Sequence, residues 1–153
     1  MKITPGKINT FMLFKLPLAY FGGVRVKTIA HDAAVVKIKH KWINQNPFKS
    51  MFWAAQGMAA EMSTGVLVMQ EIKKSNRTVS MLVTHQESAF FKKAIGTILF
   101  TCSGGIQIKE AIQKSIETNE GQIVRLTSDG VNAAGVIPII FASSLMMFPT
   151  QMI

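Results

Sequence analysis

Apolar and polar residues alternate with two different periods along this chain, and the switches between them mark out its elements. Ile8–Tyr20 is short, apolar and closed by Gly22 and Gly23, which predicts an N-terminal helix laid across a larger body. Val24–Ile29 and Val35–Trp42 then read as strands. In the second, Val36, Ile38, His40 and Trp42 alternate with Lys37, Lys39 and Lys41, and the tight connection His31-Asp32-Ala33 makes the pair a hairpin. Asn44, Gln45, Asn46 and Pro47 are cap and first-turn residues, so a long helix is expected over 47–69. From Phe48 to Met69 the chain is almost wholly Phe, Trp, Met, Ala, Val and Leu. A helix that is apolar all round must be surrounded rather than laid on a surface.

Thr78–Ala94 and Gly96–Cys102 read as two further strands, followed by a turn at Ser103-Gly104-Gly105. Ile106–Asn119 is an amphipathic helix: Ile108, Ala111, Ile112, Ser115 and Ile116 share one face against Lys109, Glu110, Gln113 and Lys114. Gly121 closes it. Gln122–Thr127 and Val131–Phe148 form a last hairpin around Ser128-Asp129-Gly130. Helix, hairpin, buried helix, two strands, helix and hairpin make an α+β chain with an antiparallel sheet.

Composition sharpens this picture. The 153 residues suit one domain, long enough to bury a core without staples. Hydrophobic residues at 48% against 16% charged exclude disorder. The lone Cys102 excludes an intrachain disulfide and multi-cysteine zinc sites, and its apolar strand predicts a buried, inert thiol. His31, His40 and His85 lack the spacing of a metal site, so no metal is expected, and no cofactor either. Mean hydropathy of +0.27 is high for a soluble monomer. A large apolar surface should therefore enter an oligomer interface or a ligand tunnel.

Two apolar stretches mimic membrane segments. Gly130–Ile153 is uncharged over 24 residues, but Asn132, Gly135, Pro138, Ser143, Ser144 and Pro149 interrupt it, which favours a strand over a span. Ile3–Gly23 carries Lys7 and Lys15 and lacks the unbroken apolar run of a signal peptide, so cytoplasm is the expected compartment. The net charge is +9. Lys37, Lys39 and Lys41 share a strand face with Arg25 and Lys27 beside them; Lys73, Lys74, Arg77, Lys92 and Lys93 come later. Such a surface draws phosphates or an acidic protein, or simply keeps a greasy domain soluble. Without aromatic–basic interleaving, a recognition helix or a finger motif, nucleic acid is not an expected partner.

Two passages carry a family likeness. Asn46 to Gly65, NPFKSMFWAAQGMAAEMSTG, resembles the central-helix segment of hot-dog acyl-CoA thioesterases, in which an Asn precedes the helix and an acid sits about four turns in. Ser88 to Phe100, SAFFKKAIGTILF, resembles the aromatic–basic–x–x–x–Gly passage that joins the next two strands. The likeness covers most of Gly23 to Phe148 and is to a thioesterase-like branch with an extra helix, which would be 106–119. It implies a curved antiparallel sheet wrapped around a central apolar helix, in one domain spanning 1–153 with residues 1–23 as an N-terminal helical segment. The chain departs from the phenylacetate-type thioesterases in lacking their His-Gly-Gly. Phe52, Trp53 and Ala54 stand there, and Trp53 would crowd an acyl carbonyl approaching the backbone.

The resemblance implies hydrolysis of acyl-CoA or acyl-carrier-protein esters, with Glu61 in the matching carboxylate position. Glu61 is also the only acid between Asp32 and Glu71 and lies in the most apolar segment. A carboxylate held unpaired there is costly and suits a general base, activating water or attacking directly. The plainer reading turns Glu61 to solvent or pairs it with a partner chain. The substrate-binding residues implied are Asn46, Phe52, Trp53, Ala54, Gln56 and Gly57 at the helix start, where free N–H groups suit an oxyanion. Thr84 and Glu87 would approach a neighbouring subunit's site, and Lys92 and Lys93 the anionic end of the substrate. Plainer readings make Asn46 a helix cap, bond Gln56 and Ser63 to backbone, and turn Thr84 and Glu87 outward. Phe48, Phe52, Trp53, Met58 and Met62 line an acyl slot or form ordinary core. Two copies would pair through Thr78–Ala94, with a dimer of dimers also open. The rival reading is a catalytically silent module that binds an acyl thioester or another lipid-like ligand.

Overall fold

A computed structural model describes residues 3–150; Met1, Lys2 and the last three positions of the final apolar stretch lie outside them. The N-terminal segment is two helices, α1 (Pro5–Lys15) and α2 (Pro17–Phe21), broken at Leu16 because Pro17 cannot continue the first. Six strands follow: β1 (Arg25–Ile29), β2 (Ala34–Lys39), β3 (Val79–Phe90), β4 (Thr97–Cys102), β5 (Gln122–Asn132) and β6 (Ile139–Pro149). They form one antiparallel sheet in the order β1-β2-β4-β5-β6-β3. The long helix α3 (Trp53–Ser75) lies against its inner face, and α4 (Gly105–Thr118) packs beside α3.

Period-two patterning places the core. On β5, Val124, Leu126, Ser128 and Gly130 are buried while Ile123, Arg125, Thr127 and Asp129 are exposed. On β2 and β4, Val36, Ile38, Ile98 and Phe100 are fully enclosed. Each such side chain stabilises the fold by roughly 1.5–3 kcal/mol. α3 meets this floor through Ala55, Ala59, Ala60 and Ser63, whose small size lets the backbone come close. Ser63 Oγ lies 2.7 Å from Ser128 Oγ, tying helix to sheet.

Three sequence expectations shift. α3 starts at Trp53 instead of Pro47, because 46–51 folds back as a loop with Ser50 O accepting the Asn46 N–H. α4 ends on left-handed Asn119 (φ 56°), ahead of Gly121. The last hairpin does not turn at Asp129-Gly130; β5 runs straight through to Asn132 and the chain reverses before Pro138. Gly130 is there for space: a Cβ would come within 2.7 Å of Ile139 and 2.8 Å of the Phe100 ring.

The two sheet edges differ. On β1, Asn9 of α1 accepts the Val26 N–H (2.9 Å) and donates to Val26 O (3.0 Å), closing that edge. β3, at twelve residues, is the free edge of the sheet among the described residues, and Thr84–Glu87 and Ala89–Phe90 are exposed. Among the described residues no helix is long and apolar enough to cross a membrane.

Candidate active site

α3 is enclosed on one side only. Trp53, Gly57, Glu61, Gly65 and Met69 recur every fourth residue and share the face turned away from the sheet, where Trp53, Glu61 and Met69 are exposed. The surrounded helix expected from its apolar composition is thus half-open in a single chain, and Glu61 is not desolvated by its own fold. On that open face Glu61 is the one acidic group of α3, with a glycine one turn to either side. A Cβ at Gly57 would come within 3.1 Å of the Trp53 ring, whereas one at Gly65 would meet nothing within 4 Å. The indole therefore lies back over Gly57, toward the side on which the carboxylate stands.

The helix start is built by the preceding loop. Asn46 Oδ1 accepts from the backbone of Phe48 (2.9 Å) and Ser50 (3.3 Å), and its Nδ2 donates to Ser50 Oγ (2.9 Å). Asn46 therefore organises the loop and is not the helix cap. Phe52 occupies the cap position without a side-chain acceptor, which leaves first-turn N–H groups and the positive end of the helix dipole uncovered. Gln56, buried, donates to Met51 O at 3.1 Å and holds the loop against the helix.

Beside this start, Trp53 meets Phe90 of β3 edge to face, with ring centroids 6.3 Å apart. With Gln86, Glu87 and Ser88 they line a cleft of about 540 Å³. Eight residues of helix, about 12 Å of rise, separate Trp53 from Glu61. A cleft of about 570 Å³ at the far ends of α3 and α4, lined by Asn76, Arg77 and Asn119, contains no acid.

The remaining predicted residues fall into separate places. Register puts Gln86, Ser88 and Phe90 on the helix side of β3 and Glu87 on the outer side. There Glu87 pairs with Arg125 of β5, and His85 lies 3.8 Å away. Thr84 sits in a bulge and donates to Ser144 O (3.0 Å). Lys92 and Lys93 are exposed after β3, and Lys93 Nζ donates to Phe48 O (3.2 Å). Phe48 and Phe52 are exposed, while Met58 and Met62 are half-buried against the core. Cys102 is buried, which pushes its thiol from 9.0 to about 11 and leaves it protonated. Gly57 was named from the sequence, whereas Phe90 and Gly65 were missed; the signal for Gly65 was its spacing of four from Glu61, matching that of Gly57 on the other side.

A six-stranded antiparallel sheet curled around one long helix, with a four-residue-period face left open, defines a protein of the hot-dog fold. The chain belongs to the domain family of unknown function DUF4442, whose model matches residues 6–131. Solved structures agree on the fold. A protein of unknown function from Chlorobaculum tepidum superposes with a TM-score of 0.82 at 16% identity, covering 97% of this chain and 99% of its own. A Pseudomonas aeruginosa protein described as a probable thioesterase gives 0.81 at 15% identity, with 97% of each chain covered. A Haemophilus influenzae thioesterase gives 0.71 at 8% identity, covering 97% and 93%. No curated protein matches the chain.

Proposed function

We propose that this protein is an acyl-thioester hydrolase acting on acyl-CoA or acyl-carrier-protein esters in the cytoplasm, with Glu61 as general base or nucleophile. The observation that carries the reading is the single carboxylate on the open face of α3, between two glycines, on the helix whose uncapped start borders an apolar cleft. As general base, Glu61 takes a proton from water while the oxygen bonds to the thioester carbonyl carbon. The first-turn N–H groups hold the oxyanion, the C–S bond breaks, and the proton passes to the leaving thiolate. The products are a carboxylate and a free thiol.

The site reaches full form in a homodimer. Pairing through the free edge of β3 would set a second copy against the open face of α3, desolvate Glu61 and absorb the apolar excess of the sequence. Phe48, Phe52, Trp53, Met58 and Met62 would then border the acyl chain.

Free-thiol release from a panel of acyl-CoA esters, short to long, tests this. Wild type should turn over at least one member, and Glu61→Gln, which keeps the size of the side chain, should lower kcat by about 100-fold or more with the fold retained. Activity untouched in Glu61→Gln and Glu61→Ala would retire the role given to Glu61. The second reading, a silent acyl-thioester-binding module, is favoured by Trp53, which with Phe90 occupies the place where a carbonyl would approach. Binding without thiol release at any chain length would establish it.

A further inference from the structure

Away from β3, the end of the sheet where β1 begins, β2 ends and β4 begins carries a second apolar surface. Asn44 Nδ2 donates to Gly22 O (2.9 Å), which brings Phe21 at the end of α2 beside the short turn Trp42–Asn44. Gly96 O accepts the His40 N–H (2.8 Å), which brings Ile95 alongside Lys41. Leu18, Phe21, Trp42, Ile43 and Ile95 are all exposed there, Trp42 at 84% and Leu18 at 77%. They stand at the tips of three connections, on the flank of the sheet opposite β3, so pairing through β3 leaves them bare.

The charge around them has one sign. No Asp or Glu occurs in residues 1–31, 33–60 or 88–109, the segments that build this end. Lys39, Lys41, Lys49 and Lys92 are exposed, and the ion pairs of the described residues lie elsewhere, at Glu71 and Glu87. Most of the acids, Asp32, Glu71, Glu110, Glu117 and Glu120, belong to the opposite end of the sheet or to α4 and the turn after it. This end of the molecule therefore combines exposed lysines and bare aromatics with no carboxylate among the segments that build it, whereas Lys73, Lys74, Arg77 and Lys109 at the other end lie among acids.

We infer that this end docks on an anionic lipid surface. Exposed Trp and Phe seat in the interfacial layer, and lysines around them are drawn to acidic headgroups; either signal alone binds weakly. With no spanning helix among the described residues, the contact is a surface one. Charge decides the occupant: a neutral apolar partner would gain nothing from a rim free of carboxylates, and a second copy of this chain would set lysine against lysine.

Cosedimentation with vesicles of phosphatidylglycerol and phosphatidylcholine, against phosphatidylcholine alone, tests the inference without reference to activity. Wild type should partition to the anionic vesicles at least about tenfold more strongly, and 0.5 M salt should weaken that binding. Trp42→Ser with Ile43→Ser, and separately Lys39→Glu with Lys41→Glu, should each reduce it about tenfold or more at an unchanged melting temperature. In a Trp53→Phe background, Trp42 emission should shift to the blue on adding the anionic vesicles. Absence of anionic-vesicle binding, or binding indifferent to both pairs of substitutions, overturns the inference. So does tight binding of a purified acidic carrier protein through the same lysines without vesicle binding, or self-association lost in the Trp42/Ile43 variant.

Discussion

Asn44 shows how much one buried amide can fix. Its Oδ1 accepts from Lys41 N (2.8 Å), and its Nδ2 donates to both Gly22 O and Lys39 O (2.9 Å each), joining α2, the end of β2 and the Trp42 turn. Asn44→Ala would leave three backbone groups without partners in a protected place. A loss of about 2–3 kcal/mol in unfolding free energy is expected, read as a lower urea midpoint at an unchanged slope. The sequence marked Asn44 only as a cap-like residue and Asn46 as a cap or a substrate contact, because an amide's partners depend on which loops close over it. Glu61 was legible as the lone acid of an apolar segment. Its exposure stood only as the plainer of two readings, since a segment apolar on every side carries no mark of which face the sheet will take. Gln56 and Ser63 were read as binding residues or backbone-bonded ones, and each is hydrogen-bonded to backbone, Ser63 to Ala60 O (2.7 Å).

Elements were legible wherever a period was unbroken. The alternation of Val36 and Ile38 with Lys37 and Lys39 marked β2, although the strand stops at Lys39 and Trp42, read as its last residue, opens a short turn; the amphipathic face of Ile106–Asn119 defined α4 within a residue. Failures came where one residue type serves two physical purposes. Asp-Gly is a hairpin signal when it stands between strands, but at 129–130 the glycine clears space for Phe100, a neighbour 30 residues away that no local window contains. Pro47 likewise opens a helix in many sequences, and here it lies in the loop that Asn46 ties together. The Gly130 argument has a direct check. Gly130→Ala would press a methyl into Ile139 and Phe100, both fully enclosed, and should cost about 1–3 kcal/mol, whereas a turn glycine in an open loop would tolerate alanine according to its φ alone. Chemical denaturation of Gly130→Ala beside Gly135→Ala, where φ is +74° and the space is open, separates overpacking from backbone strain.

At the scale of the whole molecule the asymmetry of the sheet governs assembly. One edge is closed, by Asn9 on Val26 and by the bulge between Val26 and Thr28; the other presents twelve residues of β3 with no strand or helix among the described residues covering it. Unpaired backbone along such a strand attracts a like strand, and the proposed antiparallel pairing of β3 with a twofold copy would satisfy it and enclose the open face of α3. Leu82 and Ala89 lie toward the two ends of β3, both exposed and, by register with Met146 and Ile140, on the outer side of the sheet. Lysine at both positions leaves the pairing with β6 intact but crowds like charges along the proposed seam. Leu82→Lys/Ala89→Lys should therefore sediment as a monomer where wild type sediments as a dimer, with its melting temperature set by the protomer alone. If Glu61 works in a cleft shared between subunits, thioester hydrolysis falls with the dimer although Glu61 is untouched. A dimer that persists in this variant would place the interface elsewhere, and a monomer that retained full turnover would confine the chemistry to the open face of a single α3.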